Sequence, residues 1–403
     1  MTNIKALCNE DNKIINEMKL IDWDFSKEAF ISPVEKSPFN IRKHHWYPGT
    51  FIPEIPYSLI EILSKKDAVI MDPFMGIGTT YFQALLLERQ PIGIENCTVA
   101  YEFCKEFLYL IKNSNKLINI VKDISDLKWK YNQDVDYTHK MIDVEYMDFF
   151  TSWYAPKTLN ELCYLKRCYQ NTENMVSKAA FYIVISNMLM KCSSQNNGWG
   201  FIADSVKPKQ LKEKNALRIF NSNINSLIRD IQILKEEISM DTIDIENTVF
   251  KSSVKDMLSI KEESVDVIIT SPPYPNMIDY SLSQKLSYYF WDIPIQPDID
   301  NEFGRRRDRK KVNSLITYET NMKDAQNILV KNLKKNGYVC YVLPYYINDP
   351  VRANIIENIK KDFEERNLFK IYSVIRNIPT IRRVNNQKWA SLDAEEIIVW
   401  KKV

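Results

Sequence analysis

The sequence is poor in the residues from which metal sites and disulfide frameworks are built. It has only three histidines and seven cysteines, the cysteines are spread along the chain, and no Cys-x-x-Cys pair occurs. Zinc sites need closely spaced thiol or imidazole ligands, and disulfide scaffolds need paired thiols. We therefore expect no metal centre, and we interpret the cysteines as buried or unreactive thiols.

Long apolar runs are also lacking. The chain has no stretch of about 18 consecutive apolar residues, the length that would suggest a membrane span. The first residues, Met1 to Lys19, carry scattered charges and have no apolar core of the kind found in signal peptides. We therefore expect no membrane span and a cytoplasmic location.

A large charge imbalance is missing as well, since the net charge is only +2. Any affinity for nucleic acid must therefore come from local clusters of basic residues. Such runs are often solvated loops, but two clusters are candidates for contacts with phosphate groups. The denser cluster contains Arg305, Arg306, Arg307, Arg309 and Lys310, and the looser one contains Arg376, Arg382, Arg383 and Lys388.

Short apolar segments alternate with helix-length segments over most of the chain. This alternation predicts an α/β domain with a mostly parallel sheet, and the last two predicted strands, 371–375 and 396–400, should form an antiparallel hairpin at one edge. The middle of the chain has a long helical pattern instead. We therefore predict three parts: a cofactor-binding half (residues 1–113), a helical insertion (114–246) and a catalytic half (247–403).

The strongest local pattern is Asp72–Thr80, which reads Asp-Pro-Phe-Met-Gly-Ile-Gly-Thr-Thr in a chain with only eight glycines. It follows a predicted strand and opens a predicted helix, and such a strand–turn–helix forms a ligand cradle. A Gly-x-Gly turn alone is weak evidence. However, Glu95 ends the next predicted strand, where an acidic side chain can accept hydrogen bonds from ribose hydroxyls. The pair predicts a nucleoside-containing cofactor, and Tyr81 in place of a third glycine argues against a pyrophosphate ligand.

A second pattern, Thr270-Ser271-Pro272-Pro273-Tyr274, ends the most apolar predicted strand. One interpretation is structural, because consecutive prolines cannot continue a sheet ladder and simply stop the strand. The alternative is functional. The prolines hold the neighbouring carbonyl groups rigidly and an aromatic ring follows, an arrangement suited to a planar base that carries an amine.

Together these motifs resemble those of the S-adenosylmethionine (SAM)-dependent DNA amino-methyltransferases, which methylate the exocyclic amines of cytosine or adenine. The resemblance covers roughly residues 43–95 and 249–403, and it includes His45–Pro53 before the cofactor motif and Pro275–Tyr280 after the catalytic motif. It implies a Rossmann-like methyltransferase fold, SAM as cofactor and double-stranded DNA as partner. The implied cofactor-binding residues are Phe51, Asp72, Pro73, Phe74, Gly76, Gly78, Thr79, Glu95 and Asp256, and the implied catalytic residues are Ser271, Pro272, Pro273 and Tyr274.

The resemblance also implies how the residues act. The Ser271 hydroxyl and the Pro272 carbonyl would accept hydrogen bonds from the target amine, and Tyr274 would stack on a base flipped out of the duplex. Ser271 favours cytosine N4 over adenine N6, which remains the alternative. The helical block interrupts the sheet before Asp256, so the region that reads the DNA sequence is either this insertion or the loop from Asp292 to Thr317.

Three other functions remain open at this stage. An RNA base-amine methyltransferase is disfavoured because only a short segment precedes Asp72, and a protein-glutamine methyltransferase because that class resembles Asn-Pro-Pro-Tyr at the catalytic motif. A DNA-binding protein with an inactive methyltransferase fold is disfavoured because Gly76, Ser271 and Tyr274 are all in place. A cognate restriction or defence-system partner is also expected, whereas the oligomeric state is not indicated.

Overall fold

The computed structural model describes residues 9–25, 39–125, 130–195, 207–240, 243–256, 259–378 and 392–403. The strands are β1 (Val69–Asp72), β2 (Gln90–Glu95), β3 (Val249–Lys251), β4 (Val265–Thr270), β5 (Leu333–Tyr345), β6 (Leu368–Asn377) and β7 (Ala394–Lys402). The helices are α1 (Asn9–Lys19), α2 (Glu54–Leu63), α3 (Thr79–Leu86), α4 (Thr98–Lys112), α5 (Leu117–Ser125), α6 (Thr138–Met141), α7 (Val144–Trp153), α8 (Pro156–Asn171), α9 (Met175–Cys192), α10 (Ala216–Glu237), α11 (Tyr280–Ser283), α12 (Lys285–Phe290), α13 (Gln296–Asp300), α14 (Ser314–Asn332) and α15 (Pro350–Glu365).

The strands form one sheet in the order β3-β2-β1-β4-β5-β7-β6. The pairs from β3 to β5 are all parallel, and β7 runs antiparallel to both β5 and β6. The predicted α/β fold and its antiparallel edge hairpin are therefore confirmed. Because β1 and β4 are parallel neighbours, the segments that follow them leave the sheet at the same edge.

Alternate residues of the central strands enter two different hydrophobic cores, as the two-residue period of a strand requires. On β4, Ile268 packs into the core formed with α14 and α15, whereas Val267 and Ile269 pack into the core formed with α1 and α2. The same division holds along β5. The sheet is thus covered by helices on both faces, which leaves the ends of its strands as the places where a ligand can reach it.

Between β2 and β3, the described chain is helical from α4 to α10. These helices share a continuous hydrophobic core with α3, and α9 contributes many of its buried residues. Helix α9 is long and apolar enough to cross a membrane by length and composition, but most of it is buried inside the protein, as in a core helix. The insertion therefore packs on the side of the sheet domain that carries the cofactor motif.

Candidate active site

The tips of β1 and β4 are joined by a direct hydrogen bond. The register pairs Ile70 with Val267, and the Thr270 hydroxyl, at the end of β4, donates to the Asp72 carboxylate, at the end of β1, over 2.6 Å. The cofactor motif and the catalytic motif start from these two residues. Both motifs therefore begin side by side at the carboxyl edge of the sheet.

A cleft of about 740 Å³, partly open to solvent, lies above these tips. It brings together many of the residues predicted from the sequence, namely Phe51, Pro73, Phe74, Gly76, Thr79, Glu95, Ser271 and Pro273. It does not bring Asp72, Gly78, Asp256, Pro272 or Tyr274 into its lining. Asp256 is exposed beyond the rim, where Ser252, Ser253 and Val254 line the cleft instead. Gly76 and Ser271 thus face the same space.

The two glycines of the cofactor motif both have positive φ angles, +57° at Gly76 and +88° at Gly78. A Cβ atom on Gly76 would lie 3.3 Å from Tyr47 Cε1, and one on Gly78 would lie 3.1 Å from Phe82 Cε2. Only glycine takes this backbone conformation without a steric cost. Gly78 caps the first turn of α3, so the turn needs both glycines to pass from β1 into the helix.

Glu95 closes the back of the cleft from the end of β2. Its two carboxylate oxygens accept from the backbone N–H groups of Gly76 and Cys97, each over 2.6 Å. Burial raises the pKa of Glu95 to about 7, and the two backbone hydrogen bonds oppose the shift. Each oxygen keeps a further lone pair, so the side chain can still accept a hydrogen bond from a bound ligand.

Asp72 lies beneath the cleft rather than in its wall. One of its oxygens accepts from the Thr270 hydroxyl and from the Phe74 backbone N–H, the latter over 3.1 Å. Burial raises the pKa of Asp72 to about 6, and its hydrogen bonds lower it. Its visible contacts therefore hold the two strand tips together, and the predicted contact with the amino-acid end of SAM stays a prediction.

Ser271, the first residue after β4, is half-buried and lines the cleft. Its hydroxyl donates to the Tyr274 hydroxyl over 3.3 Å, and the Tyr274 hydroxyl donates to Glu395 over 2.8 Å. The Pro273 carbonyl accepts from the Tyr318 hydroxyl over 2.7 Å. The turn after β4 is therefore fixed from both sides.

Comparison with known proteins matches residues 8–106 to a family model described as DNA methylase. Three curated relatives also match. The Type II methyltransferase M.MjaII of Methanocaldococcus jannaschii is 22% identical over 79% of this chain and 76% of its own length. The Type II methyltransferase M.MvaI of Kocuria varians is 22% identical over 81% and 69%, and M.BsoBI of Geobacillus stearothermophilus is 21% identical over 62% and 53%.

These matches support the resemblance of the chain to the DNA amino-methyltransferases. This family uses SAM as its methyl donor, and the cleft can be tested for its fit to that group. The hydroxyl of Thr79 is buried in the cleft wall and has no hydrogen-bond partner among the described residues. Aromatic side chains, Phe51, Phe74 and Phe303, line the same space, and Glu95 offers acceptors. An apolar cleft with a few polar groups fits a nucleoside carrying an amino-acid tail.

The cleft also contains residues outside the predicted cofactor-binding and catalytic sets. Tyr47 stacks on Tyr280 with ring centroids 5.9 Å apart, and both line the cleft. Glu302 accepts from the backbone N–H groups of Tyr280 and Ser281, and burial raises its pKa to about 7. Tyr47 and Tyr280 lie in the two flanking segments included in the resemblance, 45–53 and 275–280, so a sequence signal existed for both. None existed for Glu302.

The basic residues predicted to contact DNA fall into different environments. Arg307, Arg309 and Lys310 are exposed, and Arg306 is half-buried. Arg305 is half-buried, and its guanidinium bonds internally to Asp308 over 2.7 Å and to the Ile299 carbonyl over 2.9 Å, so its contact with DNA stays a prediction. Among the described residues, no group of three or more His, Cys, Asp or Glu side chains could hold a metal ion.

The predicted phosphate contact of the looser basic cluster is wrong for one of its residues. Arg376 is only 3% exposed and pairs with Glu395 over 2.5 Å, so it cannot contact phosphate in this structure. Arg382 and Arg383 lie outside the described residues. The exposed loop with Arg307 remains next to the catalytic turn, because the Asn276 backbone N–H donates to the Gly304 carbonyl over 2.8 Å.

Proposed function

We propose that this protein is a site-specific Type II DNA methyltransferase that methylates the exocyclic amine of a flipped base, with cytosine N4 favoured. The observation that carries the proposal is the shared cleft of Gly76 and Ser271, built on the bond between Asp72 and Thr270. It puts a nucleoside-sized site and a polar, rigid turn against each other. Methyl transfer between two bound groups needs this proximity.

In this proposal, the residues of the cofactor motif hold SAM, which supplies an electrophilic methyl group when bound. An exocyclic amine is a weak nucleophile, because its lone pair is delocalised into the base ring. Hydrogen bonds from its N–H groups to the Ser271 hydroxyl oxygen and the Pro272 carbonyl free that pair. The remaining contribution is alignment of the reacting groups, which can supply several kcal/mol of barrier reduction.

The target base has to leave the duplex to reach the cleft. We assign Tyr274 the stacking contact with the flipped base, since aromatic rings serve as platforms for unpaired bases. We assign the exposed Arg307, Arg309 and Lys310 to the DNA phosphates, which such side chains contact without regard to sequence. The helical insertion or the loop from Asp292 to Thr317 reads the recognition sequence.

Adenine N6 is the alternative target of the same mechanism. Serine at position 271 favours cytosine, because aspartate at this position is more typical of the adenine enzymes. The relatives are named Type II methyltransferases. We therefore also propose a role in restriction–modification with a cognate nuclease.

One experiment separates these possibilities. The purified protein is incubated with SAM labelled in the methyl group and, separately, with duplex DNA, RNA and a protein mixture, with the Ser271→Ala variant as control. We expect label in DNA alone, and its digestion to nucleosides should yield N4-methylcytosine. Recovery of the label as N6-methyladenine would show that the target is adenine N6 and not cytosine N4. Label only in RNA or protein, or no label at all, would overturn the proposal.

A further inference from the structure

A hydrogen-bonded chain connects the catalytic turn to a carboxylate on β7. The Ser271 hydroxyl donates to Tyr274, and the Tyr274 hydroxyl donates to Glu395 Oε1 over 2.8 Å. The other carboxylate oxygen, Glu395 Oε2, accepts from Arg376 Nη1 over 2.5 Å. Glu395 is therefore joined to the catalytic turn through side chains alone, although it lies far from Ser271 in sequence.

The carboxylate is held firmly in place. Glu395 and Arg376 are directly opposite each other on β7 and β6, and Arg376 Nε donates to the Trp23 carbonyl over 3.0 Å. Arg376 is 3% exposed and the Glu395 side chain 12%. A buried arginine needs an ionised partner, because an unpaired buried charge is costly. The pair therefore holds Glu395 as a carboxylate.

An ionised carboxylate can only accept hydrogen bonds. The Tyr274 hydroxyl must therefore donate its single hydrogen to Glu395, which leaves the tyrosine oxygen to accept from Ser271. The Ser271 hydroxyl in turn donates its single hydrogen to Tyr274. Its oxygen, on a residue that lines the cleft, is then left with lone pairs only.

We propose that Glu395, held by Arg376, is a positioning residue that makes the Ser271 hydroxyl an obligate hydrogen-bond acceptor for the target base. Such an acceptor suits a base that presents an amine N–H and opposes one that presents a carbonyl oxygen at the same place. The chain of hydrogen bonds thus selects an amine over a carbonyl. This inference rests on the proposed function.

The test compares Glu395→Gln and Tyr274→Phe with the wild type in single turnovers at saturating SAM and DNA. The amide of glutamine can donate as well as accept, and phenylalanine removes the middle hydroxyl while keeping the ring. Each variant should slow methyl transfer by about 10- to 100-fold, the effect of one misdirected hydrogen bond. The KM for SAM should change by less than about threefold, because neither Glu395 nor Tyr274 lines the cleft.

Glu396→Gln is the matched control. Glu396 is the next residue on β7, is similarly buried, and pairs with Lys360 over 2.8 Å and with Ser373 instead of Tyr274. Its variant should transfer methyl groups within about threefold of the wild-type rate. This control measures how much the transfer rate changes when a paired carboxylate on β7 is lost outside the hydrogen-bonded chain.

A double variant distinguishes a directed chain from independent structural effects. Once Tyr274→Phe has cut the chain, adding Glu395→Gln should slow transfer no further, whereas unrelated effects would multiply. If Tyr274→Phe, which leaves the Glu395–Arg376 pair intact, transfers at the wild-type rate, the inference is overturned even should Glu395→Gln fail to fold. If the wild type methylates no base amine, the proposed function fails, and the inference falls with it.

Discussion

The Thr270 hydroxyl bonds to the Asp72 carboxylate over 2.6 Å, and this contact joins the first residue of the cofactor motif to the strand that carries the catalytic motif. Both residues are buried, so no water replaces the bond when the hydroxyl is removed. In the folded protein it fixes the relative position of the two turns that, in the proposed function, act on the same methyl group.

Thr270→Val keeps the side-chain shape and removes the hydroxyl. We expect it to lower the free energy of unfolding by about 1 to 3 kcal/mol, since the buried Asp72 loses a hydrogen bond, and also to weaken SAM binding. Urea unfolding and calorimetric titration with SAM measure the two effects. Thr317→Val, at an exposed position of α14, is the control and should change neither. Unchanged stability in Thr270→Val would contradict the structural role of the contact.

Glu95 should make stability depend on pH. Burial raises the pKa of Glu95 from 4.5 to about 7, so between these values the folded protein holds a proton that the unfolded chain has released. The free energy of unfolding contributed by this group is therefore greatest below about pH 4.5 and is lost as pH rises through about 7. Denaturant unfolding from pH 5 to pH 8 should show a flatter pH dependence for Glu95→Gln. An equally steep dependence in that variant would exclude Glu95 as the source.

The exposed cations beside the catalytic turn should govern the salt dependence of DNA binding. Replacing Arg307, Arg309 and Lys310 by alanine should weaken binding and reduce the magnitude of the slope of log K against log salt by about 0.9 for each phosphate that is no longer neutralised. The control replaces Lys65, Lys261 and Lys335, which are exposed near the opposite edge of the sheet, where β1, β4 and β5 begin. Equal slopes for both triple variants would contradict this placement of the DNA.

Lys166 should tie the helices between β2 and β3 to the segment that follows β4. Its side chain is 2% exposed, and its ammonium donates to Asp292 over 2.7 Å and to the Met141 carbonyl over 2.9 Å. Asp292→Asn suits the φ of +55° at this position but leaves the buried ammonium without a counter-charge, so we expect a loss of about 1 to 3 kcal/mol in unfolding free energy.

Lys166→Met is the matched control for that prediction, because it removes the charge that needs compensation. Adding Asp292→Asn to Lys166→Met should cost much less than Asp292→Asn costs in the wild type. Urea unfolding of the four proteins completes the cycle. Additive losses would show that the two side chains do not depend on each other.

The parts of the site that follow strand ends could be predicted from sequence. Gly76 and Ser271 each follow an apolar strand, and because the carboxyl ends of parallel strands share an edge, their meeting in one cleft follows from the fold. The alternation of apolar segments likewise predicted the mostly parallel sheet. These features depend on local patterns and on general rules of sheet topology.

The parts that depend on pairing between distant strands could not be predicted. The sequence makes Arg376 a candidate for phosphate contact, because nothing near it in sequence reveals that Glu395 lies directly opposite it on the neighbouring strand. The continuous apolar run of β5 likewise begins only at Tyr338, whereas the strand begins at Leu333. The residues before Tyr338 are mostly polar, and Asn336 among them has a φ of +64°. No hydrophobic period therefore indicates that the strand starts before Tyr338.

The most direct test of the account is the single-turnover transfer of a labelled methyl group to DNA by the Tyr274→Ala variant, alongside its affinity for SAM. Tyr274 does not line the cofactor cleft, so SAM binding should stay close to that of the wild type. Transfer should be abolished, because the flipped base loses its stacking ring and Ser271 loses its hydrogen-bond partner. Methylation by this variant at the wild-type rate would contradict the assignment of the catalytic turn.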